Sequence, residues 1–217
     1  MTKVAVILSG CGVFDGGEIH ESTFVLLALD QAGVEYQCLA PNINQMHVID
    51  HLTGQETDEQ RNVLVESARI ARGKVIDLVD AVPGDYDAVI VPGGFGVAKN
   101  LCDFALKGAD MSVNVPVQIF IQAIHNSGRP VGLACISPVM SERLFGEGVL
   151  CTIGNDEETA AAIVEMGAKH QNCAADDIVI DEANKLVTTP AYMLADRISD
   201  VHTGINKMVA AVLAMLK

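Results

Sequence analysis

The chain has no tryptophan, and aromatic residues make up only 4% of its 217 positions. Stacking platforms of the kind that hold single-stranded nucleic acid are therefore scarce. Basic residues are also few: 14 Lys and Arg stand against 28 Asp and Glu, a formal net charge of −14. So acidic a chain repels phosphate backbones and anionic headgroups. Neither nucleic acid nor a membrane surface is expected as a partner. No apolar run approaches the roughly 18 residues that a membrane span needs. "MTKVAVILSG" has too short an apolar stretch before its glycines to read as a secretory signal. The six cysteines, at 11, 38, 102, 135, 151 and 173, are scattered and form no C-x-x-C pair. They read as free thiols in a reducing compartment rather than a disulfide framework or a zinc knuckle, and a cytoplasmic location is expected.

What the chain does have is apolar residue in quantity: half of it is hydrophobic. That is enough to bury one core across residues 1–217 as a single domain. Strand-like and helix-like segments alternate. "KVAVILS" (3–9) is an apolar run with no polar gap, as a strand covered on both faces requires, and "VEYQCLAP" (34–41), "DYDAVIVPGG" (85–94) and "RPVGLAC" (129–135) also read as strands. Between them, residues 18–33, 58–73 and 113–128 carry helical periodicity, with Gly33, Gly73 and Gly128 as stops. Residues 42–58 are polar and irregular. "KVIDLVDA" and "VLCTIG" read as short strands, and "DEETAAAIVEMGA" (156–168) as a helix with an acidic first turn. Helix 137–145 is predicted to start on Ser137 as N-cap, with Pro138 in the first position. "DIVIDEANKLVTT" predicts a hairpin around Glu182-Ala183-Asn184, and a long last helix is predicted from a Thr189 N-cap onward.

This alternation predicts an α/β sandwich: a mostly parallel central sheet, helices on both faces and a small hairpin near the C-terminus. In such sheets, ligands bind beyond the carboxyl ends of the strands. That rule selects "SGCGVFDGGEIHE", "PGGFG", "CISP" and "TTPAY". An isolated cysteine is most often a structural core residue. Cys135, however, sits where a strand hands over to a helix start. Its side chain should project into the crevice, where free amides and the positive dipole end favour a thiolate. In "GGEIHE", Glu21 lies three and four residues before Phe24 and Val25 and so shares their inward face. A buried carboxyl there would stay protonated and pair with the sulfur for proton transfer. "VPGGFG" offers the Gly93 and Gly94 amides to an oxyanion, together with that of Ile136. It is neither a Walker loop nor a dinucleotide fingerprint. No cofactor is expected.

Taken in order, "VILSGCGVFDGGEIHE", "DHLTGQ", "RNVLVESARIARG", "VPGGFGVAKNL", "CISP" and "VTTPAYML" resemble the ElbB family. These are "enhancing lycopene biosynthesis" proteins, described as ElbB-type glyoxalases, in the PfpI-like superfamily. Their fold is shared with class I glutamine amidotransferases. The resemblance implies a flavodoxin-like sandwich with Cys135 on a nucleophile elbow, Glu21 against it, Gly93 and Gly94 as oxyanion amides, and a homodimer. Two departures bear on chemistry. Ile136 stands where protease-like relatives carry His after the nucleophile. Thr189-Pro190-Ala191 stands where amidotransferases carry H-P-E. Without an imidazole, amide hydrolysis loses its general base. His20, beside Glu21, is the nearest substitute in sequence.

The expected activity is therefore a cofactor-independent glyoxalase acting on glyoxal or a similar 2-oxoaldehyde. Cys135 would be the nucleophile, Glu21 and His20 the proton carriers, and no metal would take part. The alternative is a thiol-based redox sensor or carbonyl-stress binding protein with little turnover, linked indirectly to isoprenoid biosynthesis. A hydrolytic metal held by Cys135, His20 and Glu21 is a third reading.

Overall fold

The computed structural model describes residues 2–216. β1 (Lys3–Ile7) opens the chain and is followed by α1 (Ile19–Gln31), β2 (Glu35–Ala40), α2 (Val63–Ile70) and β3 (Val75–Asp77). The chain then returns to the middle of the sheet as β4 (Ala88–Val91). It continues through the short α3 (Phe104–Lys107), α4 (Val115–Asn126), β5 (Val131–Ala134) and α5 (Ser141–Phe145). Beyond these come β6 (Leu150–Cys151), α6 (Glu157–Glu165), β7 (Lys169–His170), β8 (Val179–Asp181), β9 (Leu186–Thr189) and α7 (Ile198–Ala214).

The main sheet has the order β3-β2-β1-β4-β5-β9-β8. All its pairings are parallel except β8 with β9, which form the expected hairpin. α1 and α7 pack together on one face, and α4 with α5 covers the other. The apolar runs read from the sequence are the buried central strands: every residue of β4, β5 and β9 is buried. The α/β sandwich with helices on both faces is the observed architecture. β6 and β7 form a separate two-stranded parallel sheet, of which only β6 was expected.

The strand order places the site. From β1 the chain winds outward through β2 to β3, and from β4 it winds the other way through β5 to β9. The order reverses between β1 and β4, so the crevice beyond their carboxyl ends is open. The loops after β1, β4, β5 and β9 all converge there.

Three helix starts differ from expectation. α2 begins at Val63 rather than near 58, because Asn62 caps it: the Val65 amide donates to the Asn62 side chain at 3.1 Å. Residues just before it are tied elsewhere, as in the Gln45 amide bond to the Arg61 carbonyl at 2.8 Å. Ser137 caps nothing. Its hydroxyl donates to the Pro92 carbonyl at 2.8 Å, and residues Ser137–Met140 form a 3-10 turn before α5. Thr189 belongs to β9, paired with Ala134, and its hydroxyl donates to the Asp177 carbonyl at 2.8 Å. A turn at Ala191–Met193 follows, and α7 starts only at Ile198. At 189, sheet pairing outweighs the local cap signal.

α7 is pressed onto the sheet at Gly204. A Cβ added there would lie 2.6 Å from the Ala175 carbonyl oxygen and 2.7 Å from Thr189 Oγ1. Gly→Ala inside a helix ordinarily gains about 1 kcal/mol. Here the overpacking, about 1–3 kcal/mol, outweighs it. Gly204→Ala should lower the urea midpoint with an unchanged m-value. A raised midpoint would mean that α7 is free to move away from the sheet.

Candidate active site

Cys135 follows the last residue of β5 and has φ +61, a left-handed conformation that non-glycine residues rarely adopt. Such a residue stores about 1–3 kcal/mol of strain and persists only where its surroundings hold it. The hold is visible on both sides. The Cys135 amide donates to the Thr189 carbonyl at 2.9 Å, extending the β5–β9 ladder by one rung. The Ser137 hydroxyl ties the next turn to Pro92, at the end of β4. The elbow turns the side chain out of the sheet plane into the crevice. Cys135 retains 7% exposure and lines a cleft of about 780 Å³.

Glu21 is fully buried in the first turn of α1, as its place on the apolar face predicts. Its carboxyl is gripped from two strands. Oε2 accepts the Gly93 amide at 2.8 Å, and Oε1 accepts the Tyr192 amide at 3.1 Å. The carboxyl also faces the Cys135 sulfur across the open side of Gly93. Glu18 fixes the start of the helix: its carboxylate accepts the Glu21 amide at 2.6 Å, and its own amide donates to the Gly93 carbonyl at 2.9 Å. Gly93 must be glycine. A Cβ there would overlap the Cys135 Cβ and lie 2.5 Å from Glu21 Oε2 and 2.7 Å from the Cys135 sulfur. Sulfur and carboxyl meet across the space that this missing side chain leaves.

Burial raises both members of the pair. The Glu21 carboxyl is pushed from 4.5 up to about 7, first by desolvation and then by the nearby Glu18 charge, with the two backbone amides pulling the other way. The Cys135 thiol is pushed well above its ordinary value, first by burial and then by the charge on Glu21. The amides of Gly94 and Ile136 point at the sulfur and oppose that rise. The raised carboxyl is as expected, while the thiolate expected beside it is corrected to a thiol. The element after Cys135 is a 3-10 turn and then a five-residue helix, too short for a strong dipole, and desolvation outweighs it. Glu21 is therefore the first of the two groups to ionise.

The predicted site residues separate into two sets. Cys135, Glu21, Gly93, Gly94 and Ile136 come together. Within that set, the Gly93 amide is committed to Glu21 rather than free for an oxyanion, which leaves the Gly94 and Ile136 amides beside the sulfur. His20 stands apart. It is exposed, and its Nδ1 pairs with the Tyr192 hydroxyl at 2.8 Å. No histidine is among the described residues that line the cleft. Tyr192, whose amide holds Glu21, was not singled out from the sequence. Its segment "TTPAY" was, but the kink at Ala191, φ +47, that aims the amide has no compositional mark. Among the described residues, no three His, Cys, Asp or Glu side chains are grouped so as to hold a metal ion.

No family model matches the chain. A human protein named glutamine amidotransferase-like class 1 domain-containing protein 3, mitochondrial, is 46% identical over 223 residues, covering 98% of this chain and 83% of its own length. A rat protein named ES1 protein homolog, mitochondrial, is 44% identical, with 98% of this chain and 84% of the rat one covered. The chain belongs to this ES1 family of glutamine amidotransferase-like class 1 proteins. A crystal structure of an isoprenoid biosynthesis protein with an amidotransferase-like domain from Ehrlichia chaffeensis shares the ES1-family fold over 100% of both chains, at 37% identity and TM-score 0.93. Glyoxalase III from Candida albicans, 15% identical with TM-score 0.65 over 100% of this chain and 98% of its own, shares the fold alone. The expected cytoplasmic location does not stand, because the curated ES1 relatives are named mitochondrial proteins. Free thiols distinguish a reducing compartment from an oxidising one, not one reducing compartment from another.

The raised carboxyl makes a stability prediction. Folded Glu21 binds its proton more tightly than the unfolded chain does, so its contribution is complete below about 4.5 and is lost as pH rises through about 7. The displacement corresponds to ~3 kcal/mol. Glu21→Gln should therefore gain stability relative to wild type between pH 5 and pH 8, measured by urea unfolding at each pH. Parallel pH profiles for the two proteins would show that the carboxyl is not buried in solution.

Proposed function

We propose that this chain is a cofactor-independent glyoxalase of the ElbB type, converting glyoxal or a similar 2-oxoaldehyde and water to a hydroxy acid. The observation that carries this reading is the Cys135–Glu21 pair: a strained nucleophile opening into a cleft, set across Gly93 from a buried carboxyl that burial raises to about 7.

The singly protonated pair is the reactive form. As sulfur bonds to the aldehyde carbon, its proton passes to Glu21 and on to the aldehyde oxygen, giving a hemithioacetal and restoring the carboxylate. The amides of Gly94 and Ile136 stabilise the oxyanion on the way. Glu21 then removes the proton from the former aldehyde carbon and returns it to the adjacent carbonyl carbon. The oxygen on the first carbon loses its proton to the oxygen on the second, and a 2-hydroxy thioester results. Water attacks that thioester, the acid leaves, and sulfur recovers its proton. One substrate carbon is oxidised and its neighbour reduced, so no external electron carrier is needed.

Amide hydrolysis fits the site less well. An amine leaving group needs an imidazole to protonate it. Thr189, Pro190 and Ala191 stand where that motif would be, and the amide of the next residue, Tyr192, holds Glu21. The redox-sensor reading is also weakened, because a sensor depends on an accessible low-pKa thiolate. Burial raises the Cys135 thiol, so the low-pKa thiolate is lacking.

Cys135→Ala should abolish formation of glycolate from glyoxal, and Glu21→Ala should lower kcat/KM by about 100-fold or more. In the wild type, kcat/KM should rise with pH through about 7 as Glu21 ionises. Purified Cys135→Ala with wild-type turnover would overturn the reading.

A further inference from the structure

The cleft is far larger than the substrate that would define the reaction. Glyoxal has four heavy atoms and occupies ~100 Å³, if each takes about the ~30 Å³ share of a water molecule. The cleft above Cys135 holds about 780 Å³, within the range of pockets that enclose drug-sized ligands. Its walls are apolar: Val13, Phe14, Ile49, Phe95, Phe104 and Met193 face it. Phe95 is 50% exposed and Phe14 39% exposed, so both leave apolar surface in water that a bound group would cover.

The charged residues of the cleft are already engaged. Lys99 donates to the Phe14 carbonyl at 2.8 Å and lies 5.8 Å from the centre of the Phe95 ring. Asp156 caps α6, accepting the Thr159 amide at 2.8 Å, and its carboxyl is held below its usual range by Thr159. An ionised Asp156 repels a carboxylate or phosphate on the substrate, and the net charge of −14 adds to that repulsion. A tail that fits these walls is uncharged and apolar.

Resting on the reaction proposed above, we infer that the substrate of this site is a 2-oxoaldehyde carrying an aromatic or branched apolar group. Cys135 takes the aldehyde carbon at the floor of the cleft, and the tail lies between Phe14, Phe95 and Phe104. Covering these rings on binding, and keeping them covered in the transition state, lowers KM and raises kcat/KM together.

The test compares phenylglyoxal with glyoxal on the full chain. Wild type should give a kcat/KM at least ~10-fold higher for phenylglyoxal, a factor equivalent to ~1.4 kcal/mol. Because the two aldehydes differ in intrinsic reactivity, the decisive quantity is how that ratio changes with the walls. Phe95→Ala and Phe14→Ala, both at exposed positions that the fold does not depend on, should each lower it several-fold. Ile119→Ala, on the exposed face of α4, should leave it unmoved. Glyoxal turnover with a ratio at or below one, or a ratio indifferent to both phenylalanines, overturns the inference while the proposed reaction stands. Turnover of neither aldehyde overturns both.

Discussion

One buried carboxyl organises this end of the molecule. Glu21 reaches from α1 to the amide after β4 and to the amide after β9, and it touches the sulfur carried by β5 between them. A buried carboxyl is costly unless its oxygens are satisfied. Here backbone donors satisfy it, and those donors exist only because two loops are folded in a particular way. The Gly93 amide is available because no side chain stands there. The Tyr192 amide is available because Ala191 takes a left-handed turn. If either loop moves, the carboxyl loses a bond, its titration shifts and the sulfur loses its proton partner.

The charge state of the pair follows from the same constraint. Helix dipoles and free amides at strand ends generally favour a thiolate. In this chain that preference is outweighed, because the cysteine lies below the surface and faces a second acidic group. The outcome is a pair whose first proton is lost near neutrality, from Glu21, which suits a step that must give and take a proton. It suits poorly a role that requires a permanently exposed anion.

Much of the fold was legible in the sequence, for physical reasons. Short apolar runs bounded by glycine turns favour buried strands, and strands alternating with amphipathic helices favour a mostly parallel sheet. That reasoning led to the crevice and, through it, to Cys135 and Glu21. It failed where two local signals competed. Thr189-Pro190 has the composition of a helix start, yet Thr189 is claimed by β5 pairing, and α7 begins at Ile198. Ser137-Pro138 reads as a cap, yet the serine hydroxyl is used to tie β4 to the elbow. Tyr192 holds the carboxyl through its backbone amide, which leaves no trace in residue identity, and Gly93 was found as a glycine but for the oxyanion rather than for Glu21. His20 was drawn in by adjacency in sequence, but one helical position rotates a side chain by 100°, and it faces outward to Tyr192.

The strand order has one more consequence. Since Glu21 is fastened to the loops of β4 and β9, which flank β5 on either side, it acts as a rivet across three neighbouring strands. Hinge opening between those strands would tear it out. The wall formed by residues 42–61 is built differently, from irregular chain tied by turn and loop bonds such as the Thr57 amide to the Val48 carbonyl and the Ile49 amide to Asp15. At its tip Leu52 is 94% exposed. The two sides of the cleft are therefore held in different ways: the floor by one carboxyl bonded across neighbouring strands, and the rim that carries Ile49 and Gly54 by bonds within and beside a loop.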